Sequence, residues 1–320
     1  MVCNVVRYSK NNQSQTGWGV LFSETIFPLS GDYQSTAEFL NEGKEEALSI
    51  DPSKKSKNTI SLFEVTLLSP VTKPCLVLCQ GANYREHMIE SGMNPDDKNF
   101  NMFFNKSAAS ISGPSDDIIK PNHVSLLDYE VELGLVIGKN ITSEEKISRR
   151  NIGDYVAGVV IGNDVSARDV QVPQMQFFKG KSYRSFCPVG PVLCLLSKEE
   201  LSYLDDLELT LTVNDELRQQ DNTRNLVFKP DETLTELSQV SDMRVGDLVL
   251  TGTPAGCALR IPSPLVTKIG ALLPEKTKWK MFKKTQGRRS QYLNAGDVVR
   301  ATIRSLDGVV DLGTQENRVV

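Results

Sequence analysis

Two glutamates one residue apart, Glu130 and Glu132, stand in an apolar stretch that reads Leu-Asp-Tyr-Glu-Val-Glu-Leu-Gly-Leu-Val-Ile-Gly over 127–138. Such a run predicts a β-strand, whose side chains alternate between two faces. Val131, Leu133 and Leu135 then share one face, and Glu130 and Glu132 share the other. Two ionised carboxylates side by side repel each other and are costly to desolvate unless a proton or a cation compensates. A hard divalent ion such as Mg²⁺ or Mn²⁺ does so with oxygen ligands; an edge strand with a solvated polar face would avoid the cost altogether. A second apolar run, 155–161, predicts a buried strand and ends in Gly162-Asn163-Asp164-Val165-Ser166-Ala167-Arg168-Asp169. Asp164, at the end of such a strand, projects from a rigid frame into a cleft. If it meets the glutamate pair, three carboxylates face one point and leave positions for water and substrate.

The chain has only two histidines. His87 lies in Asn83-Tyr84-Arg85-Glu86-His87-Met88-Ile89-Glu90, after an apolar strand, where the sequence predicts a turn opening a short helix. On that helix His87 and Glu90 are neighbours on one face. A carboxylate beside an imidazole orients it and makes it more basic, which suits a general base acting through water. A surface histidine with a chance acidic neighbour is the commoner meaning of that spacing. His123, in Lys120-Pro121-Asn122-His123, reads as structural or exposed. Lys181, between Gly180 and Ser182, would by itself be a solvated loop charge, and the turn Thr251-Gly252-Thr253-Pro254-Ala255-Gly256 only a tight loop.

Four segments taken in order change that reading. Asp128-Tyr129-Glu130-Val131-Glu132-Leu133-Gly134, Asn163-Asp164-Val165-Ser166-Ala167-Arg168-Asp169-Val170-Gln171, Lys179-Gly180-Lys181-Ser182 and the stretch 246–256 resemble the fumarylacetoacetate hydrolase family, and the histidine segment is similar to that family's catalytic one. The resemblance implies one divalent ion, Mg²⁺ or Mn²⁺, per active site, held by Glu130, Glu132 and Asp164. It implies catalytic roles for His87, Glu90 and Lys181, and contacts to a substrate's acid group from Arg168, Gln171 and Thr253. The activity implied is hydrolysis of a C–C bond in an acylpyruvate-like β-diketo 2-oxo acid through a metal-stabilised enolate. The alternative at the same metal site is a lyase: a decarboxylase, hydratase or dehydratase/isomerase. The fold implied is mainly β (α+β), a mixed β-roll with a barrel-like core and short helices, in a homodimer.

Composition sets the outer bounds. A chain of 320 residues, 39% hydrophobic and 24% charged, has ordinary globular usage and room for a large core. A net charge of −4 argues against nucleic acid as a partner. The start, Met-Val-Cys-Asn-Val-Val-Arg-Tyr, lacks the pattern of a signal peptide, and no stretch approaches a membrane span. A small-molecule substrate and a cytoplasmic location are therefore expected. The six cysteines complete no zinc pattern and read as buried thiols.

The elements that must position these residues are legible in outline. Residues 1–70 read as a small N-terminal α/β domain of short strands with a helix near 35–41, and 71–320 as the catalytic domain. Strands are expected at 75–79, 128–137, 156–161, 190–195, 207–213, 248–251 and 298–303, with a hairpin turn at Asn214-Asp215-Glu216. Helices are expected at 84–90, 143–149 and 231–239, and the polar segment 51–58 as a loop. The connection from Gly256 to Gly296 is longer than the family pattern. It is basic, with Arg260, Lys268, Lys276, Lys278, Lys280, Lys283, Lys284, Arg288 and Arg289 against Glu275 alone. It reads as a solvated excursion; a lid or an oligomer contact is the functional alternative.

Overall fold

The computed structural model describes residues 2–10, 15–54, 58–98, 100–260 and 272–320, and its architecture is mainly β with short helices. The N-terminal part supplies β1 (Cys3–Lys10), β2 (Thr16–Phe22), β3 (Thr25–Pro28), β4 (Ile60–Ser61) and β5 (Val65–Leu68). Next come β6 (Val77–Gly81), β7 (Met102–Lys106), β8 (Ile111–Ser112), β9 (Leu127–Asp128), β10 (Val131–Ile137), β11 (Val156–Asn163), β12 (Ser166–Ala167), β13 (Cys187–Pro188) and β14 (Leu193–Leu195). The last are β15 (Leu207–Val213), β16 (Glu216–Asn222), β17 (Leu248–Leu250), β18 (Val298–Ser305) and β19 (Asp311–Arg318).

The large sheet runs β4-β3-β2-β1-β14-β11-β10-β17-β6-β7, and a smaller one runs β16-β15-β18-β19. The large sheet is mixed, because β17 and β6 pair parallel and their neighbours antiparallel. Among the described residues it stays open rather than closing into a barrel. The N-terminal strands continue this sheet, with Cys3 of β1 opposite Leu195 of β14.

The centre of the sheet explains why its strands read as nearly unbroken apolar runs. Every residue of β10 and β11 is buried, so both faces are covered. Leu133, Leu135 and Ile137 pack into one core, while Val136, on the opposite face, joins Val160, Leu248 and Leu250 in the other. Each such side chain contributes about 1.5–3 kcal/mol on burial. That anchors the register in which Val131 faces Asn163 and Glu132 faces Gly162. The β15–β16 hairpin turns at Asn214 and Asp215, whose φ values of 51° and 66° suit a mirror-image two-residue turn.

Of the three helices expected in the catalytic part, 84–90 forms as Arg85–Glu90. The helix Pro230–Val240 forms as expected. The segment 143–149 is not helical. Its Glu145 and Ile147 N–H groups donate instead to Ser238 Oγ and Thr235 Oγ1, side chains of that helix, so the segment is strapped along it in extended form. In the basic connection a helix, Glu275–Gln286, exposes most of its length and buries Gln286. Lys268 lies outside the described residues. All six cysteines are free thiols. No helix among the described residues is long and apolar enough to cross a membrane.

Candidate active site and metal centre

The break between β9 and β10 brings the three carboxylates together. Glu130 falls in this break rather than inside the strand, and its N–H donates to Asn163 Oδ1 at 3.0 Å. The Asp164 N–H donates back to the Glu130 carbonyl at 2.8 Å, so the ends of β10 and β11 are tied side by side. Glu132, within β10, accepts the Gly252 N–H at 2.8 Å. Gly252 is needed there: its φ is +94°, and an added Cβ would lie 2.8 Å from Asn83 Cβ. Oxygens of Glu130, Glu132 and Asp164 all lie within 4.8 Å of one another, and all three residues are buried.

Three buried cations surround them. Lys181 Nζ donates to Glu130 and, at 2.6 Å, to Asp164 Oδ2. Lys106, fully buried at the end of β7, donates to the other oxygen of Asp164 and, at 2.8 Å, to the Phe186 carbonyl. Arg168 spreads its guanidinium over Glu130, Asp128 Oδ2 at 2.8 Å and Gln171 Oε1 at 2.8 Å. Burial alone would raise the Glu130 carboxyl, but Arg168 and Lys181 outweigh it and hold Glu130 below the ordinary carboxylate range. Lys181 would be lowered by burial, yet Asp164 and Glu130 raise it. Glu132 goes the other way: burial first, then the charges of Asp164 and Glu130, push it well above the ordinary value.

That asymmetry tests the fit of a divalent ion. Among the described residues four carboxylates (Asp128, Glu130, Glu132, Asp164) meet three cations in this cluster, and Glu132 has no ion-pair partner. An all-oxygen donor set, buried and short of positive charge, suits Mg²⁺ or Mn²⁺. The three residues fit the ion.

His87 sits on the helix Arg85–Glu90 at the junction of two adjoining cavities. The inner cavity, about 210 Å³, is lined by the three carboxylates, Arg168, Gln171, Lys181 and Thr253, with Phe104, Met102 and Phe177 as an apolar wall. The outer one, about 340 Å³, is lined by His87, Glu90, Ser91, Glu130, Arg168, Cys257, Leu259 and Arg260. Burial lowers the imidazole below its ordinary value, with Arg168 reinforcing and Glu130, Glu90 and Asp128 opposing. No hydrogen bond joins Glu90 to His87: Glu90 accepts the Gly256 N–H at 3.3 Å, and His87 Nδ1 is buried without a partner. Gln171 is turned to Arg168, and Thr253 Oγ1 donates to the Val131 carbonyl while accepting from Gln219. Both line the inner cavity, yet Gln171 Oε1 and Thr253 Oγ1, like all three Arg168 nitrogens, are engaged within the protein. His123 is exposed and bonds Tyr183 Oη at 2.9 Å.

The profile of the fumarylacetoacetate (FAA) hydrolase C-terminal family matches residues 76–320. The chain belongs to that family. It is 36% identical to a mitochondrial oxaloacetate tautomerase of Rattus norvegicus over 81% of this chain and 80% of that one. It is 39% identical to an oxaloacetate tautomerase of Bacillus subtilis over 66% and 69% of the two chains. A solved structure of a fumarylacetoacetate hydrolase from Exiguobacterium antarcticum superposes with a TM-score of 0.71 at 28% identity, covering 99% of both chains.

Within this family fold, four contributors escaped the sequence reading. Lys106 closes an ordinary short strand, and nothing local distinguishes it from a surface lysine. Asp128 stands inside the glutamate motif without an assigned role, yet its carboxylate accepts the Ala258 and Leu259 N–H groups at 2.7 and 3.0 Å and fixes Arg168. Asn163, adjacent to Asp164, ties the two strand ends through Glu130. Cys257 directly follows the small-residue turn, and its Sγ lies 3.7 Å from Glu130 Oε1. For Asp128, Asn163 and Cys257 the usable signal was adjacency to a recognised motif.

Proposed function

We propose that this chain is a divalent-metal-dependent enzyme that interconverts the keto and enol forms of a 2-oxo acid, an isomerase-type reaction rather than C–C hydrolysis. The observation that carries the choice is the separation of Glu90 from His87. A hydrolytic base needs an oriented, strengthened imidazole to activate water. Here Glu90 accepts the Gly256 N–H instead, so no carboxylate orients the imidazole toward a water, whereas removing a proton from a carbon acidified by the neighbouring carbonyl requires no such pair. The tautomerase names of the two relatives support the same reading.

In this reading Glu130, Glu132 and Asp164 hold Mg²⁺ or Mn²⁺. A divalent ion held there would supply Lewis-acid polarisation of the 2-oxo carbonyl. His87, which lines both cavities, would take a proton from the carbon next to that carbonyl while the carbonyl oxygen gains one from solvent; in reverse the enol oxygen gives up its proton and His87 returns one to the carbon. Lys181, between Glu130 and Asp164, sets a fixed positive charge beside the cluster as negative charge develops. Phe104, Met102 and Phe177 give the inner cavity an apolar wall, which lowers the local polarity and strengthens those charges. Arg168 positions the carboxylates through Asp128 and Glu130, and Thr253 and Gln171 shape the wall.

The test is to follow loss of the enol absorbance of oxaloacetate with Mg²⁺, with Mn²⁺ and with excess EDTA, while assaying pyruvate in parallel. EDTA-sensitive enol loss without pyruvate is expected. Stoichiometric pyruvate from oxaloacetate would make the chain a decarboxylase. Cleavage of acetylpyruvate to acetate and pyruvate would restore the hydrolase reading.

A further inference from the structure

The outer cavity holds a second donor set of different chemistry. A ring nitrogen of His87, Sγ of Cys257 and an oxygen of Glu130 all lie within 4.8 Å of one another. They come from three parts of the chain: a helix, the β9–β10 break and the segment after the 251–256 turn. We propose that His87, Cys257 and Glu130 form a binding site for a thiophilic cation of the Zn²⁺ class, separate from the carboxylate site and sharing Glu130 with it. The inference does not depend on which reaction the enzyme catalyses.

The two oxygens of Glu130 face different groups. Oε2 meets Lys181 and, at 3.5 Å, Ser166 Oγ, on the side of Asp164. Oε1 meets Arg168 and the Cys257 thiol, whose sulfur is 3.7 Å away. A tetrahedral ion with Zn–S of about 2.3 Å and Zn–O of about 2.0 Å spans a sulfur-to-oxygen edge of roughly 3.5 Å. The observed spacing is therefore close to that of a formed site. The ion would take the place of the thiol proton now shared between Sγ and Oε1, and one proton would pass to solvent as the metal–sulfur bond forms.

The surroundings suit the role. Gln219 Nε2 donates to Sγ at 3.6 Å, the kind of outer contact that orients and stabilises a ligating sulfur. His87 Nδ1, buried and unpartnered, is a nitrogen donor that this structure leaves unused. All three donors line the same cavity, whose volume of about 340 Å³ leaves room for a water as fourth ligand. Sulfur and imidazole select against Mg²⁺ and for Zn²⁺ or Co²⁺. Arg168, bonded to Oε1, opposes a second cation, so binding should be weaker than at a dedicated structural zinc site. Occupancy would also engage His87, which makes the site inhibitory in character: a hard ion activates beside the place where a softer one blocks.

The experiment is a Co²⁺ titration of the full chain saturated with Mg²⁺, followed in the near ultraviolet. A thiolate-to-cobalt charge-transfer band that saturates at one equivalent and is bleached by Zn²⁺ is expected, because all-oxygen ligation gives no such band. Cys257→Ser should abolish the band, and His87→Asn should weaken Co²⁺ binding by about tenfold or more. Glu132→Gln, which alters only the carboxylate site, should retain the band. Proton release measured in weak buffer supplies a readout that needs no variant: about one proton per Zn²⁺ bound. Bound Co²⁺ without a charge-transfer band, a band that survives Cys257→Ser, or Zn²⁺ binding without proton release would overturn the proposal.

Discussion

The buried cluster around Glu130 and the charged face of the small sheet use the same residue types under opposite physics. On the small sheet Arg300 of β18 reaches Asp215 and Glu316 across neighbouring strands, with all three side chains exposed to water. Solvent screens these contacts, and holding long side chains in place costs entropy, so such pairs stabilise little. Around Glu130 the charges have almost no water, and each must be answered by a specific partner. Lys106 and Lys181 answer Asp164; Arg168 answers Glu130 and Asp128; Glu132 alone has only a backbone N–H. An exposed ion pair tolerates an imbalance of charge. A buried cluster converts the imbalance into a proton or metal requirement.

The sharpest way to break this contrast is to remove the unanswered charge. Glu132→Gln should lower metal-dependent turnover by about a thousandfold or more, roughly 4 kcal/mol of lost transition-state stabilisation. In the absence of metal its melting temperature should be no lower than that of the parent, because the amide removes a like-charge repulsion. The stabilisation that saturating Mg²⁺ should give the parent, about 2.7 kcal/mol at a hundredfold excess over Kd and read as a rise in melting temperature, should disappear. Retention of either metal response would remove Glu132 from the proposed ligands.

A lost partner should matter next. Lys106→Met leaves Asp164 with one buried cation instead of two, and breaking a buried pair in this way costs about 3–5 kcal/mol. Urea midpoints would measure it, and adding Asp164→Asn should recover much of the loss, since the carboxylate left behind is what makes the single variant expensive. A midpoint change no larger than that of an exposed pair would mean that water enters the cluster.

Proton linkage gives a smaller effect of defined sign. The folded-state value of His87 lies below 6.5, so the folded protein binds fewer protons here than the unfolded chain. The stability contributed is present above pH 6.5 and lost as the pH falls through the lowered folded value. The acid limb of turnover should accordingly fall below pH 6.5, and Glu90→Gln should move it lower still, because the Glu90 charge holds the imidazole up. An acid limb above 6.5 would contradict the lowering of His87 by its surroundings.

The smallest change expected is at the small sheet. Arg300→Ala should leave the melting temperature almost unmoved, and any difference should vanish at high salt. A loss comparable to that of Lys106→Met would erase the distinction between the two regions.

How far the site could be read in advance follows from the same contrast. Glu130, Glu132 and Asp164 stand out because charged residues inside apolar runs conflict with their surroundings, and the strands around them form close to the expected limits. The pairing of His87 with Glu90 is implied by the family resemblance, since an i,i+3 spacing alone more often means a chance neighbour. That spacing brings backbone positions together but does not orient the side chains, and the Gly256 N–H, 166 residues along the chain, holds Glu90 instead. The helix expected at 143–149 likewise yields to hydroxyls of a helix 88 and 93 residues away.

The sequence by itself determined a mainly β chain of this family, with buried strands at its centre and carboxylates set where desolvation is costly. Those properties follow from hydrophobic periodicity and motif order, which are local along the chain. The tertiary structure alone decided which charge answers which. Lys106 meets Asp164 across 58 residues and Arg168 meets Asp128 across 40, and both contacts depend on strand order and register rather than on anything either segment carries. Protonation in a buried cluster depends steeply on such distances, so the lone Glu132 and the unpaired imbalance of charge became visible only once the strands were in place.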